Sequence, residues 1–122
     1  MVSTENKTVQ DILAVQANEL QALQKELSGA QGNRQQFAQQ HSENSMVLKE
    51  LEQLDDISSV YKLVGSVLIK QGLLEARGNV TKRLEFIQDE TDRLDKNIRK
   101  LENEQDVKHK EVIRLRQMLR SH

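Results

Sequence analysis

Three histidines, His41, His109 and His122, are the side chains best suited to bind a metal or move a proton near neutral pH, and none has the neighbours that either task needs. A zinc-hydrolase helix places two histidines one turn apart with a glutamate between them, and structural zinc sites draw on cysteine, which this chain lacks altogether. The missing cysteine also removes any thiol nucleophile or disulfide framework. Gly29, Gly32, Gly65, Gly72 and Gly78 are too dispersed to make a Walker loop or a G-x-G-x-x-G turn, so no nucleotide phosphate has a visible cradle. Glu85, Asp89, Glu90 and Asp92 read as the wet face of a helix, not as an acid–base pair. The chain is expected to carry no catalytic residue, no metal and no cofactor. It would then act through surfaces.

What could position such surfaces is set by composition. In 122 residues, 30% are charged and only 2% aromatic, which leaves little to fill a globular interior. Fourteen glutamines, no proline and abundant Leu, Glu, Lys and Arg match long helices paired along a narrow seam. The longest aliphatic run, Val67-Leu68-Ile69, is far short of the roughly 20 residues of a membrane helix, and no apolar secretory core follows Met1 to Lys7. These features favour the cytosol or nucleus and no membrane. The net charge of -1 gives no whole-molecule attraction for polyanions.

The seam is visible in the spacing. Thr8 with Asp11 three residues later resembles a capping signal, so a first helix is predicted over 8–55. Steps of four and three run through Val9, Leu13, Gln16, Leu20, Leu23, Leu27, Ala30, Arg34, Phe37, His41, Asn44, Leu48 and Leu51. A second helix over 74–120 repeats the rhythm at Val80, Leu84, Ile87, Thr91, Leu94, Ile98, Leu101, Gln105, Lys108, Val112, Leu115 and Leu119. Each arm has a length of roughly 70 Å at 1.5 Å per residue, and equal arms imply an antiparallel hairpin. Folding near residue 65 pairs Leu13 with Leu119, Leu20 with Val112, Ala30 with Leu101, Phe37 with Leu94 and Leu48 with Leu84, and sets His41 beside Thr91 as one polar layer. Gly29 and Gly32, each costing about 1 kcal/mol against Ala, are expected to bend or fray the first arm.

Between the arms the period changes. Val60-Tyr61-Lys62-Leu63-Val64 and Val67-Leu68-Ile69-Lys70-Gln71 read as two strands around Gly65-Ser66, within a β-hairpin assigned to 59–72, and a glycine first in a two-residue loop favours a type II′ turn. Pairing puts Val60, Val64, Val67 and Ile69 on one face, and Tyr61, Leu63 and Leu68 on the other. Both faces are apolar, and a lone two-stranded ribbon is marginal in water with two open edges. Leaving four large aliphatics wet forgoes roughly 6–12 kcal/mol, comparable with the stability of a domain. These seven residues are therefore expected to join copies or homologues into an oligomer.

Other apolar residues off the seam are unevenly placed. From 28 to 45 and from 88 to 106 only Ala38 qualifies, whereas Met46, Val47, Leu54, Ile57, Leu74 and Phe86 gather near the hairpin. Ile12, Val15, Val107, Ile113 and Met118 gather near the far ends, beside a seam weakened by Gln16, Gln105 and Lys108. Loosely committed apolar ends are suited to grip another apolar chain, although ordinary coiled-coil edge packing accounts for scattered aliphatics equally well.

The segment from Val60 to Gln71, with Glu75-Ala76-Arg77, Lys82-Arg83-Leu84, Glu43-Asn44 and Glu50-Leu51, closely resembles the β-type subunits of prefoldin, most specifically over residues 43–87. Ser66 departs from the proline that the family often carries after its turn glycine. The resemblance implies a mainly α fold in a single domain over 1–122: a long antiparallel coiled-coil hairpin with one central β-hairpin that joins other subunits in a β-barrel platform. It also implies a hetero-hexamer of two α-type and four β-type subunits, acting without ATP in the cytoplasm. Such complexes hold non-native chains, notably actin and tubulin, at their coiled-coil tips and pass them to the group II chaperonin. By position, Val9, Ile12, Leu13, Val112, Leu115, Met118 and Leu119 fall in the tip region.

One basic stretch, Lys108, Lys110, Arg114, Arg116 and Arg120, could meet an anionic partner, either nucleic acid or an acidic chaperonin surface. No aromatics interleave to stack bases, which disfavours nucleic acid. The remaining rival is a coiled-coil scaffold or tether without client-holding activity, for which the apolar strands and ends have no use.

Overall fold

A computed structural model describes residues 4–54 and 60–121. Helix α1 spans Thr4–Glu52, strands β1 Val60–Val64 and β2 Val67–Gln71 follow, and helix α2 spans Leu73–Arg120. Helix α1 starts four residues before the Thr8 signal, because none of Thr4 to Lys7 breaks a helix and propagation adds a hydrogen bond for each residue fixed. It stops at Glu52 instead of running to 55, passing into a short turn in which the amides of Gln53 and Leu54 donate to the carbonyls of Glu50 and Leu51. Asp55 and Ile57, which the sequence reading placed in the helix and in the apolar group beside the hairpin, lie outside the described residues, as does position 59. Helix α2 begins one residue earlier than expected, with the Gly72 carbonyl accepting the first intrahelical bond from the Ala76 amide at 2.9 Å and Glu75 complementing the dipole in the first turn.

The chain divides into two compact units, residues 1–33 with 94–122 and residues 34–93. In the first, Leu27 and Ala30 of α1 pack with Ile98 and Leu101 of α2, flanked by Leu23 and Leu94. Val112 and Leu115 are also buried, each 2% exposed. Gly29 and Gly32 lie within the unbroken helix, where Leu27 and Ala30 on the buried face hold the segment against α2. The expected fraying there is not seen. Lys108 does not simply weaken the seam: its Nζ donates to Gln16 Oε1 at 2.8 Å and pairs with Glu19, so the polar layer is satisfied between helices.

In the second unit, Leu51, Leu73, Ala76 and Val80 form the core, with Leu48, Val60 and Leu84 against it. His41 and Thr91 are both half-buried, and each is satisfied along its own helix: Thr91 Oγ1 donates to the Ile87 carbonyl at 2.8 Å, and His41 Nδ1 lies 3.5 Å from Ser45 Oγ. The end of α1 is closed by a long-range cap. Arg77 Nε and Nη2 donate to the Leu51 carbonyl at 3.0 and 2.8 Å, and Nη2 also reaches the Leu54 carbonyl at 3.3 Å. A helix end without a C-terminal glycine leaves its last carbonyls short of donors, and this guanidinium supplies donors to the Leu51 carbonyl, beside the Leu54 amide, and to the Leu54 carbonyl.

Candidate functional site: an uncovered β-hairpin and an apolar flank

Strands β1 and β2 pair antiparallel from Val60 opposite Gln71 to Val64 opposite Val67, so the loop is the two-residue Gly65-Ser66. Gly65 has φ of 62° and Ser66 is not left-handed, which is the type II′ pattern and excludes type I′, where both central residues need positive φ. Directly opposed residues share a face, so Val60, Val64, Val67 and Ile69 lie on one side and Tyr61, Leu63 and Leu68 on the other.

Val60 is half-buried against Leu51, Leu73, Ala76 and Val80 and so roots the ribbon in the core. Tyr61, Leu63, Val64, Val67, Leu68 and Ile69 are each between 50 and 65% exposed. Covering what remains of these six side chains is worth roughly 5–11 kcal/mol at 1.5–3 kcal/mol per complete burial. Among the described residues, no third strand pairs with either edge of the sheet, and an open edge presents unpaired backbone groups. Side chains and backbone together make the hairpin a template for further strands.

The unit of residues 1–33 with 94–122, the far unit in that its helix ends are distant in sequence from the hairpin, offers side chains alone. Ile12 is 44% exposed, and Val9, Leu13, Met118 and Leu119 are half-buried. Val112 and Leu115 are sealed inside the helix pair, so of the seven residues assigned to the tip these two cannot touch another chain unless the helices part. Val15, Val107 and Ile113 are exposed in their stead. Glu19, Ala22, Leu23, Glu26, Asn103, Glu104, Val107 and Lys108 line a groove of about 550 Å³ on one flank of this unit. Seven-residue steps carry Ile12 to Glu19 and Val15 to Ala22, which places both on that flank. Ile113, also exposed, is not among the residues that line it.

The unit of residues 34–93 shows the same preference independently. Val47, Asn79 and Arg83 line a smaller groove of about 210 Å³ beside Val60 and Tyr61, and seven-residue steps from Val47 and Asn79 reach the exposed Leu54 and Phe86. Among the described residues, no large hydrophobic between 16 and 45 or between 87 and 106 is exposed. Among the described residues, exposed large hydrophobics therefore gather towards the hairpin in one unit and towards the helix ends in the other.

Charges add detail. Of the basic stretch, Lys108 turns into the seam, and Arg114 donates through Nη2 and Nε to Glu111 at 2.6 and 3.0 Å. That bond and the guanidinium charge draw the Glu111 carboxyl below its usual value and raise Arg114. Lys110, Arg116 and Arg120 are exposed. No group of three or more metal-ligating His, Cys, Asp or Glu residues occurs among the described residues. No described helix is long and apolar enough to cross a membrane.

Two long helices joined by a β-hairpin with exposed apolar faces define a helical-hairpin, coiled-coil class of protein. The model of the family described as "Prefoldin subunit" matches residues 15–119. Prefoldin subunit 6 of Arabidopsis thaliana is 40% identical over 119 residues, covering 95% of this chain and 92% of that one. The human protein of that name is 38% identical over 109 residues, covering 89% and 84%, and the Saccharomyces cerevisiae one is 44% identical over 95 residues, covering 78% and 83%. A crystal structure of the prefoldin beta subunit from Thermococcus strain KS-1 superposes with a TM-score of 0.77 at 21% identity, covering 82% of this chain and 88% of that one. The chain belongs to the prefoldin family and is a prefoldin-type chaperone subunit. The similarity extends well beyond the 43–87 segment in which motifs are legible, since the arms match too.

Proposed function

We propose that this chain is a β-type subunit of a hetero-hexamer of two α-type and four β-type prefoldin subunits, and that it holds non-native proteins without ATP. Tyr61, Leu63, Val64, Val67, Leu68 and Ile69 would complete a shared β-barrel platform with the hairpins of sister subunits, with Val60 anchoring the ribbon to its own helices. Clients of the actin and tubulin type would be held at the far unit through Ile12, Val15, Val107 and Ile113, with Val9, Leu13, Met118 and Leu119 at the margins. Val112 and Leu115 support this surface from inside the pair. The held chain would pass to the group II chaperonin in the cytoplasm.

The observation that carries this reading is the separation of the two uncovered zones by stretches with no exposed large hydrophobic side chain. A tether needs the seam but neither zone. Surfaces that hold unfolded chains must be apolar and accessible, whereas the wet stretches between them resist non-specific association. The test is light scattering by a denatured client diluted into buffer with the assembled complex, with and without ATP. Suppression independent of ATP is expected, and unchanged aggregation would leave the scaffold as the better reading.

A further inference from the structure

The groove of the far unit is set back from the helix ends. Val107 lies thirteen residues before Arg120, the last residue of α2, which is about 20 Å along the helix. The groove lies beside the polar seam layer in which Lys108 reaches toward Gln16 and Glu19, and Leu23 and Ala22 are among its lining residues. Val107 stands at the groove's rim 69% exposed. The floor and one wall are thus aliphatic.

The rim is acidic. Glu19 is spent on Lys108, and the lining holds two further acidic residues, Glu26 and Glu104, with no second cation among them. Lys100 approaches Glu104 only at 4.0 Å with both side chains largely exposed, a pair of small net value. A groove with an aliphatic floor and two rim carboxylates favours one kind of occupant over its mirror in charge.

We infer that this groove takes an extended segment of a non-native chain in which large apolar side chains are flanked by lysine or arginine, an assignment that rests on the client-holding function proposed above. The apolar side chains cover Leu23, Ala22 and Val107, and the flanking cations meet Glu26 and Glu104. Segments flanked by Asp or Glu are turned away by the same carboxylates. Selection at this groove is therefore by charge around an apolar anchor.

The test uses the assembled complex containing the full chain and two short labelled peptides with the same apolar residues, one flanked by lysines and one by glutamates, read by fluorescence anisotropy. The lysine-flanked peptide is expected to bind about tenfold more tightly at low salt, with the preference shrinking as salt screens the rim. Glu26→Lys with Glu104→Lys should reverse the preference, and Val107→Asp should weaken the apolar contribution while the complex still assembles, since that side chain is exposed. Equal affinities, or a preference that survives the charge reversal, would overturn the inference even if the complex still suppresses aggregation. So would loss of assembly on Val107→Asp, which would make the groove a contact between subunits. If the wild-type complex neither binds peptide nor suppresses aggregation, the client-holding function itself fails, and this assignment with it.

Discussion

The hairpin and the far flank are both uncovered and apolar, yet they differ in what they offer another chain. The hairpin offers two apolar faces and, among the described residues, edges that no third strand covers, so a strand added to it must match it residue by residue in register. The far flank offers only side chains on helices whose backbone is already satisfied, and a groove open along one side. In the function proposed above, one surface takes a fixed partner and the other takes many. Permanent interfaces resemble a domain core cut in half, whereas transient capture of varied chains needs modest, accessible apolar area.

Breaking the hairpin should therefore have the largest effect. Leu63→Asp with Val67→Asp places one charge on each face of the ribbon, and association with partner subunits should be abolished while helical circular dichroism stays near the wild-type value. Size-exclusion chromatography with native mass spectrometry reads both. Retained co-elution with sister subunits would remove the hairpin from the assembly interface and collapse the contrast between the zones.

Next in size is the junction that aims the hairpin. Arg77→Ala removes three donations to the carbonyls of Leu51 and Leu54 at the end of α1, and should cost roughly 2 kcal/mol given the usual worth of partly buried hydrogen bonds from a charged donor. Chemical denaturation of the assembled complex should show the loss, and Arg77→Lys should restore only part of it, because an ammonium lacks the planar fork.

How much of this was legible beforehand follows from the range of each interaction. The seam, the hairpin register and the turn depend on residues close in sequence, and Ala30 with Leu101 and Leu48 with Leu84 duly share core clusters. Arg77 acts on carbonyls 23 and 26 residues away, and no local pattern announces it. Its only trace is negative: Glu52-Gln53-Leu54 ends a helix without glycine, so some other group had to satisfy the carbonyls. The groove was half legible. Gln16 and Lys108 marked a polar seam, but that Lys108 would turn toward Glu19 and that Leu23 would line a groove is a matter of side-chain geometry. Val112 and Leu115 were placed at the client surface because they lie near the helix ends, and position along a helix says nothing about which side is covered.

At the far unit, Ile12→Asp with Val15→Asp should leave the subunit composition intact and reduce client protection several-fold, since the seam beneath them is unchanged. Protection equal to wild type would move client contact elsewhere, and the supposed difference between fixed and tolerant surfaces would lose its second member.

A smaller change of opposite sign is expected in α1. A Cβ added at Gly29 or Gly32 meets nothing within 4 Å, and neither glycine has positive φ, so Ala fits the existing backbone. Each of Gly29→Ala and Gly32→Ala should stabilise by about 0.5–1 kcal/mol, mainly by restricting the unfolded chain. Thermal unfolding measures the gain. Should the stiffer helix hold clients less well, bending at these glycines contributes to capture in spite of the regular backbone.

The smallest effect should come from the surface pair on α2. Arg114 holds the Glu111 carboxyl below its usual value, so the pair's contribution is present above the carboxylate's unfolded pKa and is lost as the pH falls through its lowered folded value. Both groups are solvent-accessible, and screening leaves such a pair little to contribute. Glu111→Gln should leave the thermal midpoint at neutral pH within experimental scatter and remove only a slight dependence on acid. A large loss of stability or of client holding at neutral pH would mean that this carboxylate faces something beyond Arg114, and the acidic flank of the far unit would then extend further along α2 than the groove itself.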